Sequence, residues 1–101
     1  MGTYFVCYNH TDQGILSPGS SRKRFPLLKQ SIADMGGELI GFYLTMGMFD
    51  TIAIVRFPND ETVAHFALSS TTKGYVKTVT MKAFTAEEYL DIISDLPGSE
   101  G

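Results

Sequence analysis

Two strand-length apolar runs, Glu38–Met46 and Thr51–Phe57, lie only four residues apart, with Gly47-Met48-Phe49-Asp50 between them. So short a connection makes the two runs an antiparallel hairpin, and its glycine can take positive φ. What flanks the hairpin then decides the fold. Upstream, Phe25, Leu28, Ile32 and Met35 recur at helical spacings and stop at Gly36-Gly37. Pro26 disfavours helical geometry at Phe25, so the regular helix is expected to start near there, after a loop through Ser17-Pro18-Gly19-Ser20 and an irregular lead-in over Ser20–Arg24. Before it, Thr3–Asn9 is aromatic and β-branched and ends in the polar stretch His10-Thr11-Asp12-Gln13-Gly14, which predicts a strand.

Downstream, Pro58-Asn59-Asp60 offers a cap to a helix whose face is Val63, Phe66, Ala67 and Ser70 and which ends before Gly74. Tyr75–Phe84 returns to strand. Thr85 and Glu88 form a capping box, and Tyr89, Ile92, Ile93 and Leu96 make the apolar face of a third helix that Pro97-Gly98 stops. The order is that of an α+β, ferredoxin-like βαββαβ sandwich with an added C-terminal helix, a single domain over 1–101 with its core at about 3–97. In this reading the first and third strands run parallel as neighbours. The His10 loop then lies near Glu38 and Phe57, and the Gly47–Asp50 turn about 20 Å away at the other end of the sheet.

Both main helices cover one sheet face, so the other should be polar if it meets water. It is not polar. The first strand carries Tyr4, Val6 and Tyr8 on one side and Phe5 and Cys7 on the other; the third carries Ile52 and Ile54 against Ala53, Val55 and Phe57. The third helix could cover part of the second face, but a second copy of the sheet is the expected cover, which makes the protein a homo-oligomer, a dimer or higher.

Composition narrows the remaining choices. At 44% hydrophobic over 101 residues the chain can bury a core without metal or disulfide support. A net charge of −3 argues against nucleic-acid partners. The single cysteine, Cys7, sits in an apolar run and reads as a buried structural residue of a reducing compartment. No stretch approaches the roughly 20 apolar residues of a membrane span, and the N-terminus lacks a signal-peptide pattern. The expectation is a cytoplasmic protein with no membrane partner.

Several segments together resemble a known family: Tyr4 in the first strand, Asn9-His10-Thr11-Asp12-Gln13-Gly14, Gly36-Gly37, Phe42–Asp50, and Ala83-Phe84-Thr85. Over Thr3–Pro97 the chain is similar to GYD-domain proteins, whose G-x-Y-D segment reads here Gly47-Met48-Phe49-Asp50, with Phe49 in the place of tyrosine. The resemblance implies a ferredoxin-like fold of the dimeric α/β-barrel type and a bacterial source, and it implies no activity.

Candidate chemistry is sparse. Asp50 can serve the turn by accepting backbone amides, or act as a general base or cation ligand. His10 and Asp12 form a polar cluster able to shuttle a proton or grip a small ligand. These three are the catalytic candidates. Tyr8, Tyr43 and Arg56, with Lys77, are polar-tipped strand residues that could hold an acidic or phenolic ligand in a cavity between sheets; the plainer reading of Arg56 and Lys77 lays their stems along the rim with their charges in water. His65 falls on the outer side of its helix, and Arg22, Lys23, Arg24 and Lys29 read as a solvated basic face. Nothing in the sequence completes a metal site, no cofactor motif appears, and Cys7 has no neighbouring base. The chain therefore reads as a small oligomeric module that binds an apolar or phenolic ligand or serves assembly. The alternative is a cofactor-independent monooxygenase- or isomerase-like enzyme with a cavity at the sheet.

Overall fold

The structure is a computed structural model that describes residues 1–12 and 18–98. Its elements are β1 (Gly2–His10), α1 (Pro18–Asp34), β2 (Glu38–Leu44), β3 (Thr51–Phe57), α2 (Asp60–Thr71), β4 (Val76–Ala83) and α3 (Ala86–Ile92). The four strands form one sheet in the order β2-β3-β1-β4. The architecture is the ferredoxin-like α+β fold anticipated from the element order.

The orientation of the strands differs from the expectation. β1 and β3 are antiparallel, with Tyr4 opposite Val55 and Tyr8 opposite Thr51. The reason is topological: the β1-α1-β2 crossover makes β1 parallel to β2 with a gap between them, and β3, reversing from β2 through the hairpin, fills that gap running the other way. His10 and Asp50 consequently lie at the same end of the sheet, not at opposite ends.

Helix α1 also begins earlier than its proline suggests, at Pro18, and runs through Pro26. A proline in the first helical turn is well tolerated, and Pro26 removes one amide donor from a stretch, Arg22–Leu27, that is solvent-exposed throughout. Residues 18–20, expected in a loop, are therefore helical. Gln13, Gly14 and Ser17 lie outside the described residues. The predicted apolar face holds: Ile32 is fully buried, Leu28 and Met35 pack against the core, and Phe25 meets Phe42 edge-on with ring centroids 5.1 Å apart.

The core lies between the helices and one sheet face. Tyr4, Val6 and Tyr8 of β1 and Ala53, Val55 and Phe57 of β3 meet Ile32 of α1 and Val63 and Phe66 of α2. Phe57 and Phe66 stack with centroids 5.4 Å apart. Asn59 caps α2 by accepting the Thr62 amide at 2.8 Å. Tyr4, beneath the start of α2, donates its hydroxyl to the Asp60 carboxylate, with the Lys82 ammonium 4.6 Å above its ring. Burial, the Asp60 bond and the nearby carboxylates push this phenol up to about 12. Gly36 takes φ +78, and a Cβ on Gly37 would sit 2.8 Å from both the Arg56 carbonyl oxygen and the Phe57 ring, so both halves of the Gly36-Gly37 stop are needed where α1 enters β2.

Candidate functional site

Strand pairing assigns each side chain to a face, because residues directly opposite one another project the same way. The face away from the helices carries Phe5 and Cys7 of β1, Ile52, Ile54 and Arg56 of β3, Tyr43 of β2, and Val79 and Met81 of β4. The register shift between Leu39 and Gly41 adds Ile40 to the same face. The result is an apolar band with charges only at its ends. Glu38 and Arg56 stand at one end and Lys77 beside Asn9 at the other.

Much of this band is open. Ile40 is 51% exposed, Tyr43 59%, Val79 48% and Met81 43%, while Cys7 is sealed by its neighbours and retains no accessible surface. At the Arg56 end the face deepens into a cavity of about 590 Å³ bounded by Phe5, Ile40, Ile54, Arg56, Phe84 and Glu88. Thr85 and Glu88 cap each other there, the Thr85 amide donating to Glu88 Oε1 at 2.9 Å. These bonds to Thr85 hold the Glu88 carboxyl below its ordinary range, with Lys82 and Arg56 adding to the effect.

The second polar locus lies at the far end of the sheet. Asp50 Oδ2 accepts the backbone amide of His10 at 2.8 Å, while the Asp50 amide donates to the Tyr8 carbonyl at 2.9 Å and to Asn9 Oδ1 at 3.0 Å. Asn9 returns a bond from Nδ2 to the Met48 carbonyl at 2.9 Å. The Asn9-His10 motif and the Gly47–Asp50 turn are thus one hydrogen-bonded unit that fastens the hairpin to β1. Inside the turn, Thr45 donates its amide to the Asp50 carbonyl at 3.0 Å and its hydroxyl to the Phe49 carbonyl. Gly47 does not use positive φ, contrary to the expectation from its place in the turn; among the described residues the left-handed glycines are Gly36, Gly74 and Gly98. The tip leaves Met46 fully exposed and Met48 80% exposed.

Among the catalytic candidates, His10, Asp12 and Asp50 therefore line one shallow cleft of about 350 Å³ with Thr11, Leu44, Thr45 and Thr51. The Asp50 bond reaches the His10 backbone rather than its imidazole, whose Nδ1 is buried without a hydrogen-bond partner. Among the described residues no carboxylate is hydrogen-bonded to His10 Nδ1, so no base-and-orienter pair is seen there. Among the described residues no group of three or more His, Cys, Asp or Glu side chains is placed to hold a metal ion.

Of the ligand candidates, Tyr43 and Arg56 share the open face, but Tyr8 is on the helix side. The sheet separates Tyr8 from the other two, so the three do not converge on one ligand. Tyr8 is buried against α2, where Ser70 donates its hydroxyl to the Phe66 carbonyl at 3.0 Å. Desolvation pushes the Tyr8 phenol up to about 12. His65 is solvent-exposed. Ile40 was not singled out from sequence, and Glu88 only as the capping-box partner of Thr85; a glycine inside a strand, here Gly41, is the signal that marks the bulge bringing Ile40 to the open face.

If Asp50 serves to fasten the hairpin, Asp50→Ala should lose about 1 kcal/mol while Asp50→Asn, which keeps an acceptor for the His10 amide, loses less. Paired melting curves check this. An Asp50→Ala protein that melts at or above the unmodified chain would point to a carboxylate retained for chemistry.

Comparison with known proteins agrees with this architecture. Residues 4–93 match the sequence pattern of the GYD domain. A Thermus thermophilus protein named "Glutamine synthetase and cystathionine beta-lyase binding protein" is 26% identical over 91 residues, spanning 89% of this chain and 96% of that protein. The crystal structure of TTHA0845, also from Thermus thermophilus, superposes with a TM-score of 0.53 at 24% identity, covering 85% of this chain and 96% of that one. At that identity the superposition speaks for the fold.

Proposed function

The chain belongs to the GYD-domain family, and from that membership and its uncovered sheet face we propose that it is a non-catalytic, self-associating module that binds other proteins. The observation that carries the reading is the second sheet face. A four-stranded sheet with helices on one side leaves the other to water, and here that other side is built from Phe5, Ile40, Tyr43, Ile52, Ile54, Val79 and Met81. An apolar patch of this extent marks an association surface. A second copy of the same sheet offers matching shape and the same apolar band, as a twofold interface requires.

Protein partners are favoured by the name of the Thermus thermophilus relative, a binding protein for two enzymes. The exposed Met46 and Met48, on a turn fastened by Asn9 and Asp50, add an adaptable apolar knob on a rigid base, the kind of surface that accommodates a protein groove. The cavity beside Arg56 supports a second reading, a ligand with an apolar body and an acidic head, since its volume is within the usual range for small-molecule sites. The enzyme alternative draws no support from the His10 cleft, because no partner is hydrogen-bonded to its imidazole Nδ1.

The test is a calorimetric titration of the intact chain into purified glutamine synthetase and purified cystathionine β-lyase from its own source organism. Saturable binding to either enzyme is expected. No heat and no co-migration with either one at about 100 μM, far above the micromolar affinities of ordinary transient complexes, would remove the protein-binding reading.

A further inference from the structure

A sheet in the order β2-β3-β1-β4 has two edges, and the two are built differently. On β4 a lysine guards each face: Lys77 stands opposite Asn9 on the open side and Lys82 opposite Tyr4 on the helix side. Charged side chains, lysine above all, are the usual device that keeps an edge from pairing with another chain. β2 carries no such guard along its length. Its single charge is Glu38 at the very start, and it holds no lysine, arginine or proline. Ile40, Tyr43 and Leu44 are each more than half exposed along it.

The other common protection is a bulge, and β2 has its register shift between Leu39 and Gly41. Its position limits what it protects. Beyond it, Gly41, Phe42, Tyr43 and Leu44 pair in unbroken register with Ile54, Ala53, Ile52 and Thr51. In an antiparallel ladder every second residue turns its N–H and C=O away from the neighbouring strand. Among the described residues none makes a hydrogen bond to the outward groups of this stretch. Helix α1 packs on the helix side of β2, through Phe25 on the Phe42 ring, and makes no backbone bond to the edge.

Resting on the protein-binding reading above, we propose that the Gly41–Leu44 edge of β2 is the docking site for an extended, uncharged segment of a partner protein, which joins the sheet as a fifth strand. Main-chain hydrogen bonds hold such a segment. Its side chains fall alternately beside Phe42 and Leu44 on the helix side and beside Tyr43 on the other, so apolar or β-branched residues without proline fit it. Two observations favour another protein over a second copy. The edge runs directly into the Met46–Met48 turn, where Met46 is fully exposed and Met48 80% exposed, so a bound segment continues onto the apolar knob proposed above for protein contact. The edge is also short: four residues span about 13 Å at roughly 3.3 Å each, a seam one strand deep that falls well short of the ~800 Å² each chain contributes to a stable homodimer. A transient partner segment needs no larger one.

The experiment is hydrogen–deuterium exchange read by mass spectrometry on the intact chain, alone and saturated with each of the two enzymes of the titration above. In the complex, about two amides in fragments within Glu38–Met46 should exchange at least tenfold more slowly, because alternate residues of the edge gain hydrogen bonds, while fragments of β4 stay unchanged. Leu44→Lys, which gives β2 the kind of guard that β4 carries, should weaken binding at least tenfold. Leu44 is 78% exposed, so the variant should melt within a few degrees of the unmodified chain, and the exchange result stands without it. Binding with no change in β2 exchange, or with full affinity in Leu44→Lys, overturns the edge proposal and leaves the protein-binding reading standing. No binding by the unmodified chain removes both. Edge amides that are already slow in the free chain at about 100 μM and quicken at about 1 μM would put a second copy on the edge, overturning the assignment to a partner protein.

Discussion

Ile54→Asp is expected to convert the assembly into an 11.1 kDa monomer that remains folded. Ile54 sits at the centre of the open face, paired with Phe5 on one side and Gly41 on the other, and it borders the cavity beside Arg56. In a single chain it is half-buried and opens to solvent, so a carboxylate there stays hydrated and perturbs the fold little. In a face-to-face assembly the same carboxylate appears once from each chain near the twofold axis, desolvated and repelled by its mate. An unpaired buried charge costs several kcal/mol, and two such charges exceed what a standard-sized interface can absorb. The effect should therefore be a shift in mass at micromolar concentration, with far-ultraviolet dichroism unchanged. If Ile54→Asp keeps the full oligomer mass, the interface lies on another surface.

Phe66→Ala should act in the opposite way, striking stability and leaving the open face untouched. Phe66 is 2% exposed and stacks on Phe57, itself fully buried beneath α2. Truncating a buried phenylalanine typically removes about 3–5 kcal/mol through lost transfer energy and the cavity left behind. A domain of this size holds only about 5–15 kcal/mol in all. Urea unfolding should therefore show a midpoint lowered by about a fifth or more, with the slope nearly constant. A loss below about 1 kcal/mol would mean that α2 repacks freely and that the Phe57–Phe66 contact is not central to the core.

The contrast between these substitutions reflects what each sheet face does. Positions on the helix side follow from local signals. Val63, Phe66 and Ala67 are buried as their spacing on α2 predicts, and Thr85 and Glu88 form the capping box that starts α3. The ends of β3 agree with its apolar run because a short turn and a proline bracket it. The two-sided apolar character of β1 and β3 was equally legible, since it needs only alternation along a strand.

What the sequence left hidden is long-range. The direction of β3 against β1 follows from the element order, since the β1-α1-β2 crossover makes β1 parallel to β2 and the hairpin reverses β3, and the parallel reading overlooked this; which strand fills the gap is the part that no local residue reports. The error carried over to the site: His10 and Asp50, placed about 20 Å apart by the wrong orientation, are 2.8 Å apart through the His10 amide. Pro26 misled for a different reason: it lies in the interior of a helix that begins at Pro18, among exposed residues, and the helix runs through it. The bulge that turns Ile40 outward depends on pairing with β3, so Gly41 only hinted at it. Nor does a helical period tell whether a helix packs on its own chain, as α3, with none of its residues buried, shows.

The most direct test is the mass of the unmodified chain in solution, measured by light scattering coupled to size exclusion across about 1–100 μM, a range that brackets the affinities of ordinary homodimers. An uncovered apolar face predicts at least twice 11.1 kDa throughout. A mass of 11.1 kDa at every concentration would contradict the account, because the face formed by Ile40, Tyr43, Ile54, Val79 and Met81 would then stand bare in water.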